Sequence, residues 1–154
     1  MYSCYMISKY DPVFYKDGVF TRNEWTDFSD VGKIFNNTKL SLEEYERIEQ
    51  NYINFVVDIF EFIGVTKFKI IDLEIYNTVP WKNRQTISLS RLPNLIRDCL
   101  RNSCWCKIQS TEFCLCFGFD YYLHLNCTLD YYIVNNISKK NSLFLRRANG
   151  ILCK

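Results

Sequence analysis

The sequence predicts an α+β fold, with a mixed or antiparallel sheet and two to three helices packed on it. Three observations support this class: a long amphipathic helical pattern, an alternating apolar segment directly after it, and a cluster of strand-like segments in the last third of the chain. With 154 residues, 48% hydrophobic and 17% aromatic, the chain can bury the core of one domain, residues 1–154.

The first forty residues predict little regular structure. Residues 1–7 are typical of a short strand. Residues 8–26 contain aspartate–proline and aspartate–glycine pairs, which favour turns and indicate an irregular leader. Asp27 or Ser29 can then cap a short helix that ends at the asparagine pair after residue 35.

Residues 41–63 carry the strongest helical signal. Ser41 and Glu44 form a capping box, apolar residues follow at steps of three and four, and Gly64 ends the pattern. The opposite face of the helix is acidic, with Glu43, Glu46, Glu49, Asp58 and Glu61. This face is either an ordinary solvated surface or part of an acidic docking surface.

The remaining elements follow from the same patterns. Residues 65–76 alternate and are rich in branched side chains, which predicts a strand with Asp72 and Glu74 on one face. A second helix is expected over residues 90–101, with its proline tolerated in the first turn. The strands expected beyond it span residues 103–109, 112–125, 131–134 and 142–145, and a basic tail closes the chain.

Charge is divided unevenly along the chain. Residues 1–79 contain 8 Lys/Arg and 13 Asp/Glu, whereas residues 80–154 contain 11 and 4, within a net charge of +2. Either the acidic half presents a face to a cationic partner, or the two halves neutralise each other inside the fold.

The eight cysteines are expected to be reduced, because the N-terminus has no basic and apolar signal-peptide pattern and no apolar run could span a bilayer. The chain is therefore expected in the cytoplasm, away from membranes. A zinc site made of Cys104, Cys106, Cys114 and Cys116 is a second interpretation. Hairpin parity opposes it, since the two cysteine pairs would lie on opposite faces of the sheet.

Catalytic and cofactor motifs are missing from the sequence. There is no phosphate-binding glycine loop, no dinucleotide fingerprint and no paired-histidine metal motif, so no cofactor is expected. His124 is the sole histidine. An enzyme using Asp72, Glu74 or His124 remains a minor alternative.

Several segments spread over most of the chain resemble one family. They are residues 24–33 (EWTDFSDVGK), 40–45 (LSLEEY), 49–52 (EQNY), 105–108 (WCKI) and 117–122 (FGFDYY). The chain resembles the small cytoplasmic immunity proteins of bacterial contact-dependent growth inhibition and related polymorphic toxin systems. This resemblance implies a non-catalytic protein that binds the C-terminal toxin domain, often a nuclease such as an RNase or tRNase, and blocks it.

A nuclease holds phosphates on a cationic surface, which acidic side chains can match, and tyrosines commonly anchor such contacts. Gly118 indicates a bulge or a close backbone approach that would turn the following side chains outward. Alternatively, Tyr121 or Tyr122 belongs to the core and Asp120 accepts a local hydrogen bond. The interface is predicted to include Glu43, Glu46, Glu49, Asp72, Glu74, Asp120, Tyr121 and Tyr122.

A different class of function is the main alternative. The C-terminal half is basic and aromatic-rich, a composition that nucleic-acid-binding surfaces use for phosphate contacts and base stacking. Its charges are scattered and its aromatics follow core periodicity, so no direct contact with nucleic acid is expected. A nucleic-acid-binding regulator remains the alternative function.

Overall fold

The sheet is antiparallel throughout and has seven strands. The computed structural model describes residues 1–149. In chain order the elements are β1 (Ser3–Ser8), β2 (Tyr15–Lys16), β3 (Val19–Phe20), β4 (Ile34–Phe35), β5 (Thr38–Lys39), α1 (Leu42–Ile63), β6 (Lys67–Ile75), β7 (Thr86–Ser88), α2 (Leu92–Leu100), β8 (Cys104–Gln109), β9 (Phe113–Phe117), β10 (Leu123–Cys127), α3 (Tyr131–Lys140) and β11 (Phe144–Arg147).

The spatial order of the sheet is β11-β1-β10-β9-β8-β6-β7, and the pairs β2-β3 and β4-β5 form two small separate ribbons. The predicted α+β class, with helices on an antiparallel sheet, is confirmed. None of the helices within residues 1–149 is both long and apolar enough to cross a membrane.

One face of the sheet forms the core. Across four strands, Ile70, Ile108, Leu115 and Leu125 are register partners, and all of them are buried. Because side chains alternate along a strand, this row places every second residue of each strand against the helices. The other face carries the cross-strand row Lys107, Cys116, His124, Met6 and Arg146.

Helix α1 lies centrally on the core face. Ser41 caps it by accepting the Glu44 amide, and Gly64 ends it in the left-handed conformation at φ 82°, as the sequence predicts. Its apolar stripe meets the sheet through aromatic side chains. The Phe60 ring lies 4.2 Å from that of Phe113, measured between centroids.

The C-terminal strand expected over residues 131–134 is wrong, because these residues begin α3. The run Tyr-Tyr-Ile-Val favours a strand locally, but Asp130 caps a helix by accepting the Ile133 amide at 3.1 Å. Val134 and Ser138, one turn apart, are fully buried. Packing against α1 and β11 therefore overrides the β-propensity of the segment.

The short helix expected after Asp27 is also mostly wrong. Asp27 does cap a turn, in a capping box with Asp30, but the turn is a single 3-10 turn over Phe28–Asp30. The next residues form the β4-β5 hairpin, whose tip holds Asn36 and Asn37 at φ 49° and 62°. Two left-handed asparagines are the usual composition of such a tight hairpin.

The long strand expected over residues 112–125 is broken into β9 and β10. Gly118 to Tyr122 reverse the chain, so the two strands pair with each other, with Leu125 opposite Leu115. The β8-β9 hairpin expected from the sequence is present, shifted by two residues, with Ile108 opposite Leu115. A shift of two keeps parity, so Cys104 and Cys106 lie on the core face and Cys114 and Cys116 on the other.

The cysteines depart from expectation at one position. Six are free thiols, at positions 4, 99, 104, 106, 114 and 127, whereas Cys116 is disulfide-bonded. The sequence predicts mostly reduced thiols, and among residues 1–149 Cys116 is the exception. Cys153 lies outside the described residues. Within residues 1–149, no group of three or more His, Cys, Asp or Glu is arranged to hold a metal ion.

Peptide mapping tests this assignment. In unfolded protein without reductant, Cys116 should resist alkylation because its sulfur is already bonded. Cys114, two residues away on the same face, should react fully and serves as the control. Alkylation of Cys116 before any reductant is added would contradict the disulfide.

Candidate functional site

Part of the opposite charge of the two halves is paired within the fold. Five of the eight ion pairs among residues 1–149 join an acid of the first half to a base of the second. Those five pairs are Glu46–Arg101, Glu49–Arg97, Glu49–Arg101, Asp58–Lys140 and Asp72–Lys107. These pairs engage four of the thirteen acids of residues 1–79, so the remaining acids are the ones to consider for a partner.

Glu49 shows this most clearly and corrects its assignment as an interface residue. Its side chain is 3% exposed, and it accepts from Arg101 at 2.9 and 3.0 Å, from Arg97 at 3.2 Å and from the Tyr45 hydroxyl at 2.8 Å. Its carboxylate bridges α1 to the end of α2. The helical period placed Glu49 on the polar face, but α2 covers that part of the face.

Tyr121 is likewise a core residue and no interface residue. Its ring packs edge-on against Trp25 and Tyr52, and it is 5% exposed. Its hydroxyl donates to the Leu100 carbonyl at 2.6 Å and lies 2.7 Å from that of Tyr45. Burial raises the pKa of Tyr121, so it stays a neutral donor.

Gly118 is required by a close approach. A Cβ at this position would lie 2.8 Å from Cε1 of His124, so any other residue would force the imidazole ring to shift. Because glycine has no Cβ, the backbone at residue 118 can pass close to the imidazole ring of His124. Burial also lowers the pKa of His124, which favours the neutral ring.

Beyond Gly118 the backbone is strained. Asp120 and Tyr121 both adopt the left-handed conformation, at φ 56° and 64°, which is unusual for residues with side chains and concentrates at functional sites. The loop is held there by hydrogen bonds to its own carbonyls: Tyr10 donates to Asp120 at 2.7 Å and Tyr52 to Tyr121 at 2.7 Å.

The conformation of this loop leaves Phe119 facing outward. Its side chain is 92% exposed, although it sits between two core residues, Phe117 and Tyr121. A crevice lies on each side of it, of about 210 Å³ and 540 Å³, and Gly118, Phe119 and Asn102 line both.

We call this region the sheet-end surface and define it by Glu74, Tyr76, Phe119 and Asp120. Asp120 lines the smaller crevice with Asp27, while Glu74 and Tyr76 line the larger one. Tyr76 is 59% exposed, and its hydroxyl donates to Glu74 at 2.5 Å. Neither crevice is lined by a lysine or arginine from residues 1–149, so the surface is acidic and aromatic.

Of the other interface candidates, some are exposed and some are bound to other side chains of the protein. Glu43 and Glu46 are exposed on α1, with Glu46 3.5 Å from Arg101. Asp72 occupies a β-bulge at φ 55° and binds Lys107 at 2.8 Å. Tyr122 is half-buried and its hydroxyl bonds to that of Tyr15.

Sequence reasoning missed Phe119 and Tyr76. Phe119 was counted among the apolar residues of one long strand, and Tyr76 as the last residue of another. A glycine followed by Phe-Asp was the available signal, because an aromatic residue in a turn has no sheet face to pack against.

The conspicuous segment at residues 24–33 has a structural role. Trp25 packs against Tyr45 and Tyr121 in the core. The Lys9 ammonium lies 4.2 Å from the Trp25 ring centroid and 3.4 Å from Glu24, and its side chain is 6% exposed. Burial lowers the pKa of Lys9 to about 8, against the opposing attraction of Glu24.

Of the three catalytic candidates, Glu74 and His124 line the same crevice, but their strands are not neighbours in the sheet. His124 is on β10 and both acids are on β6, with β9 and β8 between them. At a strand spacing of about 4.8 Å, this places the strands about 14 Å apart.

Comparisons with known protein families, curated proteins and solved structures gave no match.

The buried carboxylate gives a stability prediction. Glu49→Gln removes the charge that Arg97 and Arg101 bind and should lower the free energy of unfolding by about 2 kcal/mol. Glu43→Gln, on the exposed face of the same helix, is the control and should change it by less than about 0.5 kcal/mol. Urea denaturation measures both, and equal effects would contradict the assigned roles.

Lys9 gives a prediction for pH. The pKa of Lys9 in the folded state, about 8, lies below its ordinary value of 10.5. At a pH between these two pKa values, the Lys9 amine is therefore more protonated in the unfolded chain than in the folded protein. Stability contributed by Lys9 should therefore rise with pH from about 8 to 10, by up to about 1.4 kcal/mol per pH unit.

The measurement is the difference in unfolding free energy between the wild type and Lys9→Met across that range. Ionisation of the tyrosines cancels in this difference. Lys16→Met, at an exposed lysine, should give a difference that does not vary with pH. A flat difference for Lys9→Met would contradict the buried amine.

Proposed function

We propose that the protein is an immunity protein that binds and neutralises the C-terminal toxin domain of a bacterial contact-dependent growth inhibition system, acting in the cytoplasm without catalysis. The observation that carries the proposal is the sheet-end surface. It joins a fully projecting phenylalanine, an exposed tyrosine and two acids whose charges no base of residues 1–149 neutralises in an ion pair.

Its chemistry suits a cationic protein partner. Exposed aromatics flanked by crevices are the typical anchors of protein interfaces, and surrounding acids steer a positively charged domain toward them. A nuclease domain carries such a surface because it must hold phosphates. An RNase or tRNase toxin therefore fits the proposal.

Strain in the Asp120–Tyr121 backbone supports a role in binding. The left-handed backbone of this loop costs free energy, and it holds Phe119 in solvent, where the aromatic ring does not stabilise the core. A preformed loop also lowers the cost of ordering an interface on association.

The nucleic-acid-binding alternative is less favoured by the charges. Arg97, Arg101, Lys107 and Lys140 all bind acids of the fold, which leaves fewer of the basic residues for phosphates. Electrophoretic mobility shift with the isolated protein distinguishes the two functions, since a salt-dependent shift of RNA or DNA would favour the regulator.

The decisive experiment is co-expression with the toxin domain encoded immediately upstream. Cells should survive induction of the toxin, and the two proteins should co-purify. Failure of both protection and co-purification would refute the proposal.

The surface itself is tested by substitution. Phe119→Ala should weaken toxin binding by about 2 kcal/mol, roughly 30-fold, without changing thermal stability. Asp120→Asn keeps a residue that tolerates the left-handed backbone and removes the charge, so it should mainly slow association. Tyr132→Ala is the matched control, because Tyr132 is 77% exposed on α3, away from this surface.

Isothermal titration and stopped-flow association measure these effects. If the toxin binds but Phe119→Ala and Asp120→Asn bind like the wild type, the interface lies elsewhere, and exposed Glu43 and Glu46 are the next candidates. If Phe119→Ala lowers the melting temperature as much as the affinity, the residue stabilises the fold instead.

A further inference from the structure

Three buried thiols converge where α2 meets β8. The Cys99 sulfur lies 3.9 Å from that of Cys104 and 3.9 Å from that of Cys106. Cys99 is in the last turn of α2, while Cys104 and Cys106 lie on the core face at the start of β8. Sulfur atoms at this distance are in van der Waals contact and short of a covalent bond.

Two of the three can be reached from solvent. Cys99 and Cys104 both line the 540 Å³ crevice beside Phe119, and Cys99 also lines the smaller one. Cys106 lines neither crevice. A small reagent in the larger crevice therefore meets Cys104 and Cys99 first.

The contact between the Cys99 and Cys104 sulfurs shifts the pKa values of the two thiols in opposite directions. The Cys99 thiol, donating to the Cys104 sulfur, lowers the pKa of Cys104 and raises its own. Cys104 is therefore the better nucleophile of the pair, and Cys99 is the neighbouring thiol that must give up its proton as its sulfur attacks an oxidised Cys104.

We propose that Cys104 and Cys99 form an oxidant-sensitive dithiol site whose reactant is hydrogen peroxide. The Cys104 thiol releases its proton and its sulfur attacks one peroxide oxygen, so that an S–O bond forms, the O–O bond breaks, and the departing hydroxide takes up that proton as water. The Cys99 sulfur then attacks the Cys104 sulfur, forming the S–S bond and breaking the S–O bond, and the Cys99 proton leaves with the departing hydroxide as water. The two thiols lose two electrons, and peroxide is reduced to two waters.

The local backbone suits this closure. The turn between the two cysteines is held by Asn102 N–H donating to the Cys99 carbonyl at 3.2 Å and Ser103 N–H donating to that of Asp98 at 2.9 Å. The sulfurs must approach from 3.9 Å to about 2.05 Å, the length of a disulfide. Because the intervening loop is short, the bond constrains little chain entropy and should be easily reduced.

The test treats the native protein, with the Cys116 disulfide intact, with hydrogen peroxide, blocks remaining thiols and maps peptides by mass spectrometry. We expect a Cys99–Cys104 linkage that dithiothreitol reverses. Cys127 is the matched control, a buried thiol on the same sheet face whose pKa burial raises to about 11. It should be oxidised at least tenfold more slowly than Cys104.

Two variants separate the roles. Cys99→Ser should stop at the sulfenic acid of Cys104, which dimedone traps, and Cys106→Ser should form the same disulfide as the wild type. Linkage of Cys99 to Cys106, or oxidation of Cys104 no faster than Cys127, would overturn the proposal. Should Cys99→Ser fail to fold, the wild-type peptide map decides alone. The proposal does not depend on the toxin partner.

Discussion

Tyrosine hydroxyls hold the backbone of residues 118–122 by hydrogen bonds, and the contacts between this loop, the sheet and two helices depend on them. Tyr10 follows β1, Tyr52 belongs to α1, and both donate to carbonyls of the loop. Tyr121 returns a hydrogen bond to the end of α2. One turn thus joins the first strand, two helices and the β9-β10 hairpin. Two left-handed residues, each costing about 1–3 kcal/mol, persist because their surroundings leave no alternative.

Buried polar groups around this loop form a connected system. Glu49 holds Arg97 and Arg101, Tyr45 donates to Glu49, and the Tyr45 hydroxyl touches that of Tyr121. The Glu49 carboxylate and the Tyr45 and Tyr121 hydroxyls all have hydrogen-bond partners, which is the condition under which buried polar groups are tolerated. Such a system specifies one geometry, whereas apolar contacts alone would allow several. The exposed ring of Phe119 is positioned by the same system.

Local patterns in the sequence were sufficient for the elements with strong periodicity. The helix after Ser41, the strand before Tyr76 and the helix before Asn102 lie where periodicity predicts them, and the cap expected at Ser41 is present. Residues 131–134 favour a strand by their β-branched and aromatic composition, but the Asp130 cap and packing on α1 make them the first turn of α3. The helical period predicts Glu49 on the surface, and the bulge expected at Gly118 predicts Tyr121 there. Both predictions fail because the residues that cover these side chains are distant in sequence.

The order of the strands has a consequence for synthesis. β1 lies between β10 and β11, with Tyr5 opposite Leu125 on one side and Arg147 on the other. During synthesis β1 therefore cannot pair in this sheet until β10, from the far end of the described residues, has been made. Its apolar residues remain uncovered by sheet during that time, and the non-local pairing that finally buries them is a slow kind of contact to form. A nascent chain of this protein thus offers a chaperone an unpaired strand until β10 has been synthesised.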